Sequence, residues 1–479
     1  MGFRENASPL TQRPTRTRYI FLVFAGALSL VLYLDRICIS KSAEYIEKEL
    51  DLDKFLMGLV FSAFTAGYTL FEVPSGAWGD RFGPKRVLTR IVLWWSLFTV
   101  LTGCVWRFRH DSGLRLPLPL IRYELPLVLN GFLVLLVVRF LFGVGEAGAY
   151  PNLAKCSSRW FPLQERGLAQ GVVATAGRLG GGIAAGVTVA VTGLVNRYLW
   201  PGMGWRATFW LFGLLGLVWM FFFARWFRNT PAEHPAVNAA ELELITRHGA
   251  GAPPADPAGH AAGAPWRRML RSGNLWAYSA AAFCSAFVVY LYFTHFPAYL
   301  RERHHVSGDA WAWAAGLPMI LGAVGCTLGG LLTDWLVRRT GSRRWGRRIM
   351  GLAGKGGGAV LLLAGASVNE PILAVALISL SAFCSDLALA AHWAVSTDCG
   401  GRFVGSVFGF MNMVAGLGAW LSPVAIGGLL EVMSPTVDQQ FDAAARAHAW
   451  DLVLYVLAAS LALYALLWLR VDAEASMVD

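Results

Sequence analysis

GAWGDRFGPKR, Gly76 to Arg86, is a short polar turn between two apolar runs, and its pattern comes back once. GLLTDWLVRRTGSRR, Gly330 to Arg344, again sets an Asp four residues after a Gly and follows it with a basic turn. A motif that recurs at the corresponding place in each half of a chain marks an internal repeat. Two repeated halves around a central site are a transporter architecture, in which one half rocks against the other.

The surroundings of the repeat agree with that reading. Of the 479 residues 56% are hydrophobic and 15% charged, with a mean hydropathy of +0.50, whereas soluble domains carry about 25% charged residues. Apolar stretches recur that are long enough to cross a hydrocarbon core of ~30 Å as helices. They fall at 19–40, 55–78, 88–106, 127–150, 166–195, 207–227, 275–299, 310–336, 348–367, 371–396, 404–432 and 449–470. The expectation is an all-α polytopic membrane protein with twelve transmembrane helices in two six-helix halves around a central cavity. The first run passes into Tyr33-Leu34-Asp35-Arg36 without a small-residue cleavage site, so it reads as a retained helix. The chain divides into a tail (1–18), a first half (19–227), a linker (228–274), a second half (275–470) and a closing tail (471–479). The middle of the linker, GAGAPPADPAGHAAGAP, is low-complexity Ala/Gly/Pro and reads as flexible. In the fifth run, Gly180, Gly181 and Gly182 permit close helix approach.

Loop charge sets the orientation. With both termini inside, the inner loops hold about twice as many Lys and Arg as the outer ones, as the positive-inside rule requires. The net charge of +11 is then a matter of topology and does not call for nucleic acid. The seven cysteines include no CxxC pair and read as small core residues. No metal-ligand cluster and no nucleophile–base arrangement is evident, so neither a cofactor nor a catalytic residue is expected, and the chain does not read as an enzyme.

Charges inside the apolar runs carry the functional reading. LLVVRFLFGVGEAGAYPN, Leu135 to Asn152, contains Arg139 and Glu146; seven residues are two helical turns, so both project from one face. An intramembrane charge costs about 2.5–3.5 kcal/mol on insertion scales. Arg36, Arg139 and Arg178 lie in such runs, as do Asp35, Glu146 and Asp386. Arginine stays charged while carboxylates take up protons. Ionised Asp35 and Glu146 pair with Arg36 and Arg139; protonated, they release guanidinium forks that fit a carboxylate in two parallel hydrogen bonds. Proton uptake thereby creates an anion site. The plainer alternative is a set of ion pairs that lock helices together. Asp386 and His295 are additional cavity residues on the functional reading and satisfied core groups on the plainer one. Lys355 is expected to snorkel to the cytoplasmic surface. In the repeated turn, Gly76, Asp80, Arg81, Gly83 and Arg86 form a cytoplasmic gate motif, with Asp80 at the positive end of a neighbouring helix and paired with arginines.

GxxxDRxGxKR between two membrane helices resembles the loop motif of the major facilitator superfamily. YLDR (33–36), FSAFTAGYTLFEVPSG (61–76), RFLFGVGEAGAYPN (139–152), RWFPLQERGLAQG (159–171), GWRATF (204–209), HPAV (234–237), FPAYL (296–300), GGLLTD and FMNM then follow in order. Together they resemble the anion:cation symporter family, which includes bacterial galactonate, glucarate and hexuronate proton symporters and sialin. The resemblance implies proton coupling at Asp35 and Glu146. It implies substrate binding by Arg36 and Arg139, with Tyr33, Tyr68 and Asn412 lining the cavity. Arg178, counted with the substrate-binding residues as a hint of a second anionic group on the substrate, stands where sugar-acid members often carry an amide or a small residue, and a loop of about twenty residues, 107–126, lengthens the connection between the third and fourth spans. The implied activity is proton-coupled uptake of a small organic anion, such as an aldonate, aldarate or hexuronate, by a monomer in a bacterial inner membrane. An anion facilitator or exchanger, or a transporter-like anion sensor, is the alternative.

Overall fold

The computed structural model describes residues 13–118, 123–247, 263–306, 311, 314–434 and 442–478. The low-complexity core of the linker, and most of the first tail, lie outside the described residues.

Among the described residues, twelve helical spans follow one another. Span 1 is Thr17–Leu50, span 2 Lys54–Phe82, span 3 Pro84–Gly103 and span 4 Gly131–Glu146. Span 5 is Arg166–Tyr198, span 6 Gly204–Trp226, span 7 begins as Gly273–Tyr290 and span 8 is Leu317–Thr340. Span 9 is Arg343–Ala366, span 10 Pro371–Cys399, span 11 Val404–Met433 and span 12 Ala443–Leu467. Ten of the described helices are apolar and long enough to cross a bilayer; span 3 carries Lys85, Arg86 and Arg90 near its start, and span 7 is interrupted. Val23, Leu70, Val189, Phe222, Val360 and Ile372 are exposed on the outer faces of these helices, a surface suited to lipid and not to water. Side-chain caps fix several starts: Asp53 accepts from the amide of Leu56, Asn130 from that of Leu133 and Ser272 from that of Leu275.

The repeat is visible in the packing. Span 1 packs on span 5, span 2 on span 4 and span 3 on span 6; six spans later, 7 packs on 11, 8 on 10 and 9 on 12. The halves meet through span 2 against span 11 and span 5 against span 8, again equivalent pairs.

Four features differ from the sequence expectation. Many helices run beyond the apolar limits at one end or the other, span 1 most of all, continuing through polar residues to Leu50. The fourth apolar run is broken: Gly148 takes a positive φ of 84°, and a second helix, Ala149–Trp160, continues at a new angle. A Cβ at Gly148 would stand 2.3 Å from that of Ser75, so close approach of span 2 also demands glycine there. Span 7 passes through a π turn, Leu291–His295, before resuming as Phe296–His304. The long connection after span 3 forms an antiparallel pair, β1 (Arg109–Leu118) with β2 (Tyr123–Asn130), an addition to an otherwise helical fold. Of the fifth-span glycines, Gly180 does approach span 1, where a Cβ would stand 2.6 Å from the carbonyl oxygen of Leu30, whereas Gly182 faces open space.

Candidate functional site

Span 1 delivers Asp35 and Arg36 to the interior, and span 4 delivers Arg139 and Glu146. Arg36 Nε donates to Glu146 Oε1 at 2.6 Å; the glutamate is fully buried, while the arginine side chain keeps 19% exposure. The Arg36 guanidinium carbon lies 4.4 Å from the ring centre of Tyr68, 5.5 Å from Tyr33 and 6.0 Å from Tyr150. This aromatic box holds a planar cation by its π faces. Asp35 is buried beside Trp95, yet neither carboxylate oxygen makes a hydrogen bond among the described residues. Arg139, within electrostatic reach of Asp35 and Glu146, lies over the Phe142 ring at 4.2 Å, with Nε and Nη1 unpaired among the described residues. Two bases and two acids thus share one low-dielectric space, with only one direct bridge recorded among them.

Tyr68 and Asn412, expected to line the cavity, meet across the halves. Asn412 Nδ2 donates to the Tyr68 hydroxyl at 3.1 Å and to Glu72 Oε1 at 2.7 Å. Glu72 is not among the residues that the sequence pattern picks out. It is fully buried, and its Oε2 has no hydrogen-bond partner among the described residues. The available signal is a lone carboxylate in FSAFTAGYTLFEVPSG, four residues from both Tyr68 and Gly76 and so on their helical face.

Arg178 and Asp386 find each other. Arg178 on span 5 pairs with Asp386 on span 10 across the halves: Nη2 donates to Oδ1 at 2.9 Å, and Nε lies 2.8 Å from Oδ2 as an ion-pair contact. Lys355 does not snorkel to the surface. It is buried in the second half and donates from Nζ to Ser285 Oγ at 2.7 Å, within electrostatic reach of Asp386 and Arg178. The glycine-rich face of span 9 and its tight packing on span 10 hold the lysine inward; Gly354 and Gly358 would clash with span 10 if they bore a Cβ. His295 sits in the π turn, with Nδ1 buried and unpartnered among the described residues, and joins neither charged cluster.

The repeated turn reaches the partner half. Asp80 accepts from the amides of Gly405 and Ser406 at 3.0 and 2.7 Å and from Ser406 Oγ at 2.8 Å, at the N-terminus of span 11. The cation beside it is Lys155, at 2.9 Å. Arg81 and Arg86 are exposed, so the expected arginine pairing is not made in this copy; Arg81 lies over Phe82. Gly76 faces the Gly405 carbonyl, and Gly83 adopts φ 85° against Asn229. In the second copy Asp334 accepts from the amides of Gly167 and Leu168 at 2.9 and 2.7 Å, at the start of span 5, and pairs with Arg347 at 2.9 Å. Both aspartates cap a helix N-terminus of the opposite half, where the macrodipole favours negative charge. The halves are therefore joined on the face that carries both termini.

The pattern of the Major Facilitator Superfamily matches residues 25–423. The chain is 33% identical over 417 residues to the probable sulfoacetate transporter SauU of Cupriavidus necator, covering 87% of this chain and 88% of that one. It is 29% identical over 435 residues to the probable galactarate/D-glucarate transporter GudP of Escherichia coli, covering 89% and 90%. Among solved structures, the proton:xylose symporter XylE superposes with a TM-score of 0.68 at 14% identity, over 96% of this chain and 98% of that one. The E. coli fucose:proton symporter FucP gives 0.65 at 11%, over 95% and 99%. These two show a shared fold. The protein is a multi-pass membrane transporter and not an enzyme: it belongs to the Major Facilitator Superfamily and, within it, to the anion:cation symporter family.

Proposed function

We propose that the protein is a proton-coupled symporter that imports a small organic anion, a sugar acid (aldonate, aldarate or hexuronate) or another compact carboxylate, by alternating access. The halves 19–227 and 275–470 rock about the midplane on the linker 228–274, in a bacterial inner membrane with both termini cytoplasmic. The protein works as a monomer on this reading. The observation that carries it is the Arg36–Glu146 bridge beside the unbridged Asp35 and Arg139. A proton on Glu146 frees the Arg36 fork, and a proton on Asp35 leaves Arg139 uncompensated. Each proton thus adds a cationic donor aimed at an incoming carboxylate. Tyr33, Tyr68 and Asn412 line the cavity around that site, and Asp80 and its repeat close the cytoplasmic side. The names of the relatives, which include sulfoacetate, galactarate/D-glucarate and hexuronate transporters, support the substrate class.

Two protons carried with a monovalent anion move one net positive charge inward, driven by about 2.3 kcal/mol per 100 mV. Uptake of a monovalent anion into proteoliposomes is accordingly expected to rise with an inside-alkaline pH gradient and with an inside-negative potential, whereas a dianion carried with the same two protons moves no net charge and is driven by the pH gradient alone. Glu146→Gln is expected to abolish gradient-driven accumulation while counterflow exchange persists. Uptake indifferent to both gradients rules out coupling and leaves a facilitator or exchanger.

A further inference from the structure

We propose that Arg178 and Lys355 form a second anion subsite in which Asp386 stands in for part of the ligand, and that the substrate is a compact dianion with an acid group at each end. This rests on the organic-anion reading above and narrows it.

The two charged clusters differ in balance. Around Arg36 two arginines face three carboxylates, Asp35, Glu146 and Glu72. Around Arg178 two cations, Arg178 and Lys355, share one carboxylate, Asp386. Lys355 is buried, hydrogen-bonds to Ser285, and has no carboxylate within ion-pair distance among the described residues. Also facing the two cations are Cys326, Cys284, Tyr292, Tyr33 and His392, and the Tyr464 ring, whose centre lies 5.0 Å from Lys355 Nζ; none of these is a carboxylate. A surplus positive charge in a membrane interior is costly unless something anionic comes to it.

The shape of the site matches an acid group. Arg178 holds Asp386 by one hydrogen bond, from Nη2 to Oδ1, and by a second close ion-pair contact, Nε to Oδ2 at 2.8 Å, an approach that a guanidinium also offers a free carboxylate or sulfonate. Room around that carboxylate is kept by glycine: a Cβ on Gly322 would lie 2.5 Å from Asp386 Oδ2, and one on Gly325 3.4 Å from Asp386 Cβ. The second subsite is close to the first. The Tyr33 ring, 5.5 Å from the Arg36 guanidinium carbon, packs on Gly177, where a Cβ would be 2.9 Å away, immediately before Arg178. One tyrosine therefore separates the subsites, a spacing for a short chain with two acid ends. An incoming second acid competes with Asp386 for Arg178 and also gains Lys355.

The test uses purified full-length protein in detergent and matched probes: D-glucarate against D-gluconate, which share a six-carbon chain, and sulfoacetate against acetate. Affinities come from isothermal titration. The dianion of at least one pair is expected to bind about tenfold more tightly than its monoanion, a difference near 1.4 kcal/mol. Lys355→Met is expected to bring that ratio close to unity, and Asp386→Asn to raise it several-fold by leaving Arg178 to the ligand. Should Lys355→Met fail to fold, the Asp386→Asn ratio decides alone. Equal binding of both members of each pair to the wild type, or a ratio untouched by the substitutions, overturns the dianion subsite and leaves the organic-anion reading standing. Absence of binding by all four probes overturns both.

Discussion

The contact of span 2 with span 11 and that of span 5 with span 8 are two copies of one joint, and they diverge as they approach the middle of the molecule. At the polar face each has an aspartate capping a helix of the other half, and each has glycine pressed on backbone. Even the flanking loops match: Asn229, after span 6, accepts from the Lys85 amide, and Glu474, after span 12, accepts from the Arg344 amide. Further in, the first joint continues through the buried carboxylate of Glu72 to Asn412 and Tyr68, and so to Arg36. The second continues through two hydroxyls, Thr175 and Thr327, 2.7 Å apart. Scaffold geometry is duplicated, but the level just beyond it differs: a carboxylate, Glu72, stands in the first joint and a hydroxyl pair in the second, with Arg178, one turn further along span 5, already held by Asp386. A joint that contains an acid can respond to protons; its twin provides a fixed seam.

The sharpest way to break the equivalence is at the aspartates. Asp80→Asn leaves Lys155 buried without a carboxylate, a loss of about 3 kcal/mol or more, whereas Asp334→Asn leaves Arg347 still paired with Asp398 at 3.2 Å. Asp80→Asn is therefore expected to lower the thermal unfolding midpoint further than Asp334→Asn; equal shifts would show that the lysine is compensated elsewhere. Next in size is Gly405→Ala, whose Cβ would stand 2.4 Å from the Gly76 carbonyl oxygen. Overpacking by about 1–3 kcal/mol opens this face roughly 5- to 150-fold more often. The expected readout is faster maleimide labelling of buried Cys156 and slower transport; unchanged labelling counts against a sealed joint.

Glu72→Gln and Thr175→Val separate the two copies by kind of effect. Glutamine keeps a hydrogen bond to Asn412 but takes up no proton, so the dependence of Cys156 labelling on pH is expected to flatten. Thr175→Val removes a hydroxyl pair for about 1 kcal/mol and is expected to leave that dependence in place. If both variants respond to pH alike, the acid has no special part. The smallest effect lies at the flanking loops. The hydroxyl of Ser342, donating at 2.8 Å, holds Glu474 below its ordinary pKa. A depressed carboxylate stabilises above the ordinary carboxylate range and loses that contribution as pH falls through the lowered value. Acid is thus expected to loosen the loop between spans 8 and 9, seen as faster amide exchange there, while the Asn229 loop stays as it was.

Much of this is legible in the sequence. The duplicated Gly-xxx-Asp turn announces the repeat, and hydropathy locates the spans because lipid leaves no other way to satisfy a spanning backbone; ten of the described helices are apolar and long enough to cross. Asp35, Arg36, Arg139 and Glu146 stand out because charge is rare in such runs, and the structure gathers them. Pairing is harder to read. Arg178 and Asp386 lie 208 residues apart, and which helix faces which at what height is settled by packing, not by local pattern. The expectation for Lys355 fails for the same reason: snorkelling assumes a lipid-facing stem, whereas its helix turns that face to the interior. Glu72 is hidden because a single acid in a mixed, half-polar stretch does not break the pattern around it. The π turn in span 7 and the kink at Gly148 are backbone events that apolar composition does not encode.

The two aspartate caps have a last consequence for timing. They fasten the same pair of rigid bodies at two separate places, so one body cannot swing away while either fastening holds. Release is then a coincidence: the chance of opening is set by both letting go together, and a single spontaneous break recloses before the passage widens. On the proposed alternating-access cycle, such a doubled clasp would discourage ions from slipping through unescorted, and weakening one side would damage tightness far less than weakening both.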